Sequence, residues 1–179
     1  MELILKLNAK FQPIHRFELE DALQEILEKA HMGEVTGGGT FQNPNGEIAY
    51  CEINIHLEND EMNSLKWLIE LLNRIGIPKG SVLQGLDSET KVGTLEGLAF
   101  YSNGVDLPEQ VYQNCDINYV IEQMELAMGD IGRMYSYWES RNYTVLYFYG
   151  SSFLKMKKSI ESFIATYPLC QKSHIEQIA

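Results

Sequence analysis

Residues 33–60 read GEVTGGGTFQNPNGEIAYCEINIHLEND. A loop that cradles phosphate needs a strand before its glycines and a helix after them. Upstream of Gly33, however, Leu19, Ala22, Leu23, Ile26, Leu27 and Ala30 recur at helical spacing. Downstream, Cys51, Ile53, Ile55 and Leu57 alternate with Tyr50, Glu52, Asn54 and His56, the pattern of a strand with one face on a core. The order helix, glycines, strand is the reverse of a nucleotide loop, and no lysine follows Gly39. Asn43-Pro44-Asn45-Gly46 has the composition of a type I turn. The segment is therefore predicted as a hairpin in which 34–41 pairs with 47–57. Gly37 to Gly39 then mark a bulge, or a place where another backbone or a ligand comes close.

Working outward, Leu3, Leu5 and Leu7 alternate as a strand. Leu65, Leu68, Ile69, Leu72 and Ile75 form a second helical stripe, stopped by Gly76 and Pro78. GSVLQGL, from Gly80, is a short last strand. Strand, helix, strand, strand, helix, strand is the ferredoxin-like order, an antiparallel sheet with two helices on one face. The second half repeats it. Strands are expected in GTLEGLAFYS, RMYSYWES, YTVLYFYG and SHIEQIA. Helices are expected around Ile117–Ala127 and Phe153–Ile164. The fold class is thus α+β, two tandem ferredoxin-like (βαββαβ) units, with a single larger α+β sheet as the alternative. The expected bounds are 1–86 and 94–179, joined by the polar seam QGLDSETKVG.

The 179 residues carry a net charge of −11. Residues 1–90 hold 15 acids and 7 bases, and residues 91–179 hold 10 and 7, so neither half offers a basic face. Phosphate neutralisation dominates nucleic-acid affinity, and the expectation is no nucleic acid. Three cysteines at wide spacing, Cys51, Cys115 and Cys170, argue for reduced thiols in a cytoplasmic setting. No segment reads as a signal peptide or a membrane span.

GEVTGGGT, GEIAYCEINIHLEND and GIPKGSVL together resemble small, mostly uncharacterised bacterial proteins with a ferredoxin-like fold. Some of those are similar to immunity proteins, which neutralise a toxin made by the same cell. The resemblance covers residues 13–83 and transfers no catalytic residue.

No constellation of catalytic type stands out. His15, His31, His56 and His174 do not pair at ligand spacing, and no serine lies in a nucleophile elbow, so no metal, cofactor or catalytic residue is expected. The first functional expectation is a non-enzymatic binding protein that engages a basic protein partner through Glu58, Asp60 and Glu61. The second is an enzyme or small-molecule binder with a cleft between the two sheets. Strand alternation places Glu52, Asn54 and His56 on one side of that cleft. It places Tyr147 and Tyr149 on the other, with Tyr135 or Trp138 on the neighbouring strand.

Overall fold

The computed structural model describes residues 1–58, 62–86 and 88–179. The chain divides into two compact units, Met1–Leu95 and Glu96–Ile178. Unit 1 runs β1 (Glu2–Leu7), α1 (Pro13–Ala30), β2 (Gly33–Gln42), β3 (Ile48–Leu57), α2 (Met62–Ile75), β4 (Ser81–Gln84) and β5 (Glu89–Val92). Its sheet has the order β2-β3-β1-β4-β5. Unit 2 runs β6 (Glu96–Asn103), α3 (Glu109–Asn114), α4 (Ile117–Met128), β7 (Gly132–Glu139), β8 (Tyr143–Gly150), α5 (Phe153–Thr166) and β9 (His174–Gln177). Its order is β7-β8-β6-β9. Every named strand pair is antiparallel. The first four strands of each unit share one connectivity, so the architecture is α+β with two tandem ferredoxin-like units.

Two features of unit 1 differ from the sequence reading. The seam at 84–93 is not a linker: β5 pairs with β4, Gln84 opposite Glu89 and Ser81 opposite Val92. A short edge strand with Glu89 and Lys91 facing solvent looks like a polar connection when only composition is read. Secondly, the turn between α1 and β2 is made without the glycine run: α1 is closed by His31 in the left-handed region (φ 51°), whose N–H bonds to the carbonyls of Glu28 and Leu27.

The hairpin at 33–57 forms as the turn residues dictate. Gly46 N–H donates to Asn43 O at 2.9 Å, and β2 pairs with β3 from Gly33↔Leu57 to Gln42↔Ile48. The register slips between Val35 and Gly37. Thr36 is the extra residue, Gly37 takes φ 142°, and Val35 N–H is bonded by Gln24 Oε1 of α1 at 2.6 Å. This is a β-bulge, one of the roles expected of the glycines.

Gly38 has a different reason. It pairs with Ile53, on the face that α1 covers, and a Cβ there would overlap Glu20 Oε1 and the Glu52 carbonyl. The space belongs to an ion pair, Arg16 with Glu20, whose side chains are 7% and 13% exposed. Arg16 Nε also donates to Thr40 Oγ1 at 3.2 Å. Arg16, Glu20, Leu23 and Leu27 thus form one inward helical stripe, whose first half is charged. Ala22 and Ala30, expected on that stripe, are exposed. Gly38→Ala is expected to cost about 1–3 kcal/mol through this overlap, read as a lower urea midpoint at an unchanged m-value.

Both sheets bury one face against helices. In unit 1, Leu23, Leu27, Leu68 and Leu72 of the helices and Leu5, Ile53, Ile55 and Leu83 of the sheet are buried. In unit 2, Leu98, Phe100, Leu146 and Phe148 pack with Val120, Met124, Met156 and Ile160. Each such side chain contributes roughly 1.5–3 kcal/mol gross, most of it offset by chain entropy.

Candidate functional site

Antiparallel register sorts the faces away from the helices into rows. In unit 1, Ile4 lies opposite both Asn54 and Gln84, and Gln84 lies opposite Glu89. The bulge adds Thr36 beside Asn54, so one row crosses all five strands. A neighbouring row holds Glu34, His56 and Glu2, with His56 Nδ1 bonded to Glu2 Oε1. A third, toward the other strand ends, holds Glu52, Lys6, Val82 and Lys91. Beyond it Phe41 stacks on Tyr50 with centroids 4.6 Å apart, and Lys6 Nζ lies 4.2 Å from the Tyr50 ring. Over the first two rows opens a basin of about 730 Å³, lined by Glu2, Ile4, Thr36, Asn54, Gln84 and Glu89 among others.

Unit 2 presents rings where unit 1 presents amides and carboxylates. Trp138 lies opposite Val145, Val145 opposite Tyr101, and Tyr101 opposite His174. Tyr143 fills the gap beside Val145. Trp138 and Tyr143 meet edge to face at 5.6 Å, and Tyr143 and Tyr101 are tilted at 5.6 Å. Tyr101 and His174 are stacked at 4.4 Å with planes 5° apart. The rings form a continuous line across β7, β8, β6 and β9. His174 is exposed and the other three are half-buried. Arg141 and Lys172 are exposed near the same end of the sheet, Lys172 Nζ donating to Asp106 O at 2.7 Å.

The candidates read from the sequence fall on these faces unevenly. Glu52, Asn54 and His56 all face away from the helices, but only Asn54 lines the basin. Tyr147 and Tyr149 are 0% and 1% exposed, so neither offers a surface. Tyr135 is the bulge residue of β7, edge-on to Tyr149 at 5.7 Å and beneath Arg133 at 4.5 Å. Trp138 lies in the ring line. Tyr101, Tyr143 and His174 were missed, since alternation gives a face but not which strands are neighbours. The two groups of candidates belong to different units.

Glu58 is exposed at the end of β3, while Asp60 and Glu61 lie outside the described residues. All three cysteines are free. Burial pushes the Cys51 thiol up, and burial together with nearby Cys115 pushes Cys170 up to about 11. Both stabilise the fold as neutral thiols. That contribution is complete below the ordinary thiol value of 9.0 and is lost as pH rises above it, toward about 11 for Cys170. A thiol reagent at neutral pH is expected to label Cys115 alone in the folded protein and all three thiols in urea. Among the described residues no three His, Cys, Asp or Glu side chains come together to hold a metal ion. No described helix is long and apolar enough to cross a membrane.

No family model matches the chain, and no curated protein matches it. The immunity-type resemblance at residues 13–83 therefore gains no support. The chain is similar to a solved structure, the first two RRM domains of yeast poly(U) binding protein (Pub1). The match has 12% identity and a TM-score of 0.27, covering 100% of this chain and 99% of that one. A likeness so low transfers no activity. It nevertheless runs against two expectations, a protein partner engaged through acidic residues and the absence of nucleic acid, and both are corrected. The sheet of unit 2 supplies the physical reason. Net charge weighs contacts to phosphate and says nothing about rings, and Trp138, Tyr143, Tyr101 and His174 share one face of that sheet.

Proposed function

We propose that unit 2 binds unpaired nucleobases by stacking them on the ring line of its sheet. The observation that supports this is the continuity of four rings across four strands, with polar edges on all of them. Single strands bind such platforms because every base has a π-face, each stacked base contributing about 1–3 kcal/mol. Residues 96–178 hold 10 acids and 6 bases, so phosphate adds little attraction. Two stacked bases at about 2 kcal/mol each correspond to a Kd near 1 mM. Salt dependence should be shallow, because few counterions are released.

Trp138 is its own reporter. With Trp67→Phe removing the second indole, a short single-stranded oligonucleotide should quench the remaining fluorescence saturably. An abasic strand of equal length should not. Equal quenching by both strands, or none by either, would overturn the stacking reading.

A further inference from the structure

Two asparagines of the chain are followed by glycine, Asn45-Gly46 and Asn103-Gly104. A glycine there leaves its peptide nitrogen unhindered, because it carries no Cβ. That nitrogen can attack the side-chain amide of the asparagine before it. The fold treats the two pairs differently. Asn45 is exposed at the tip of the β2–β3 hairpin. Its turn is closed by Gly46 N–H on Asn43 O at 2.9 Å and Asn43 N–H on Glu47 O at 2.7 Å, with Gly46 at φ 87°. Asn45 Oδ1 accepts from the Glu47 N–H at 3.1 Å, an Asx turn that folds the side-chain carbonyl back along the Gly46 peptide. The donor thus meets the oxygen on which negative charge develops when its carbon is attacked. Asn103 is half-buried in β6, opposite Tyr143. Its Oδ1 accepts from the N–H groups of Val105 at 3.0 Å and Asp106 at 2.7 Å, and its backbone carbonyl accepts from the Tyr112 hydroxyl at 3.3 Å. Gly104 N–H donates to Asn142 O at 2.8 Å, in the turn of another hairpin. Freeing Gly46 opens only a loop tip, whereas freeing Gly104 parts two segments of unit 2.

We propose that Asn45 is a modification site, deamidated without an enzyme to aspartate and isoaspartate, and that the fold protects Asn103 from the same reaction. The Gly46 nitrogen gives its proton to hydroxide and bonds to Asn45 Cγ. The Cγ–Nδ2 bond then breaks, and the amide nitrogen takes a proton from water and leaves as ammonia. The five-membered ring that remains is a succinimide, which water opens at either carbonyl. Addition at Cγ restores the main chain with an aspartate side chain. Addition at the backbone carbonyl breaks the original peptide bond and leaves isoaspartate, the chain now running through the side-chain carbon. Water is the only co-reactant. Either product adds a carboxylate beside Glu47, whose own lies 3.7 Å from Lys10 Nζ. Isoaspartate also lengthens the main chain by a methylene between Asn43 and Glu47, the two residues whose bond closes the turn.

The test is incubation of the full chain at neutral and mildly alkaline pH, with and without urea. Peptide mapping by mass spectrometry, with fragmentation that separates aspartate from isoaspartate, then reads each asparagine. In the folded protein position 45 should convert to both acids, faster at the higher pH because the attacking nitrogen must lose its proton. Position 103 should stay an amide. In urea both should convert. Gly46→Ala, which crowds the attacking nitrogen, should slow conversion at position 45 severalfold. If that variant does not fold, the contrast between positions 45 and 103 in the parent chain decides alone. Conversion of folded Asn103 as fast as Asn45 would overturn the proposal. So would an unchanged rate in Gly46→Ala, or a folded Asn45 that stays intact while the chain in urea converts.

Discussion

Arg16→Met is expected to lower the unfolding free energy by about 3–5 kcal/mol, the usual cost of removing one partner from a buried ion pair. The Glu20 carboxylate, 13% exposed, would then lie against the Gly38 backbone with no counter-charge. The partner it loses is the guanidinium that also bonds Thr40 Oγ1. The lower end of the range is the better expectation, since Glu20 keeps some access to water. Arg16→Met with Glu20→Met should recover most of the loss, because two apolar side chains of similar volume replace a pair whose desolvation was costly. Urea unfolding of the parent, both single variants and the double variant measures the coupling directly. A single variant as stable as the parent would mean that the glycine run was not shaped around this pair.

Tyr101→Ala is expected to weaken single-strand binding about 10–100-fold, the equivalent of one lost base stack. Tyr101 is the hinge of the line, stacked on His174 at 4.4 Å and 5.6 Å from Tyr143. Its removal leaves Trp138 and Tyr143 on one side and an isolated imidazole on the other. Tyr101→Phe keeps the π-face and should stay within about twofold of the parent. Arg141→Ala with Lys172→Ala should flatten an already shallow salt slope without a comparable loss at high salt. Fluorescence titrations of these variants at two salt concentrations separate stacking from charge. A Tyr101→Ala protein that binds like the parent would remove the ring line from the interface.

How far these features could be read from the sequence depends on their range. The hairpin was legible because its cause is local: a turn at Asn43–Gly46 and strict alternation from Tyr50 to Leu57. The order of strands and helices followed for the same reason. The inward stripe of α1 was only half legible. Periodicity counts apolar residues, and Arg16 and the half-buried Glu20 turn inward because Gly38, some twenty positions away on the strand opposite them, leaves room. The edge strand β5 was missed because four residues with a polar outer face carry little signal. Alternation left Tyr135 or Trp138 open as the neighbour of Tyr147, and it could not show that Tyr147 is buried and Trp138 half-exposed. Nor could it bring Tyr101 beside His174, which requires the register of β6 with β9. The summed charge speaks only to phosphate, because a sheet can offer rings to bases without offering cations to phosphates.

Chemical-shift mapping with a short single-stranded oligonucleotide tests the central claim most directly. The account expects saturable shifts confined to unit 2 and largest at Tyr101, Trp138, Tyr143 and His174, with the helix-covered core around Phe148 and the whole of unit 1 unmoved. Shifts centred on unit 1, or on the lysines of α5, or no shift at millimolar oligonucleotide, would contradict it.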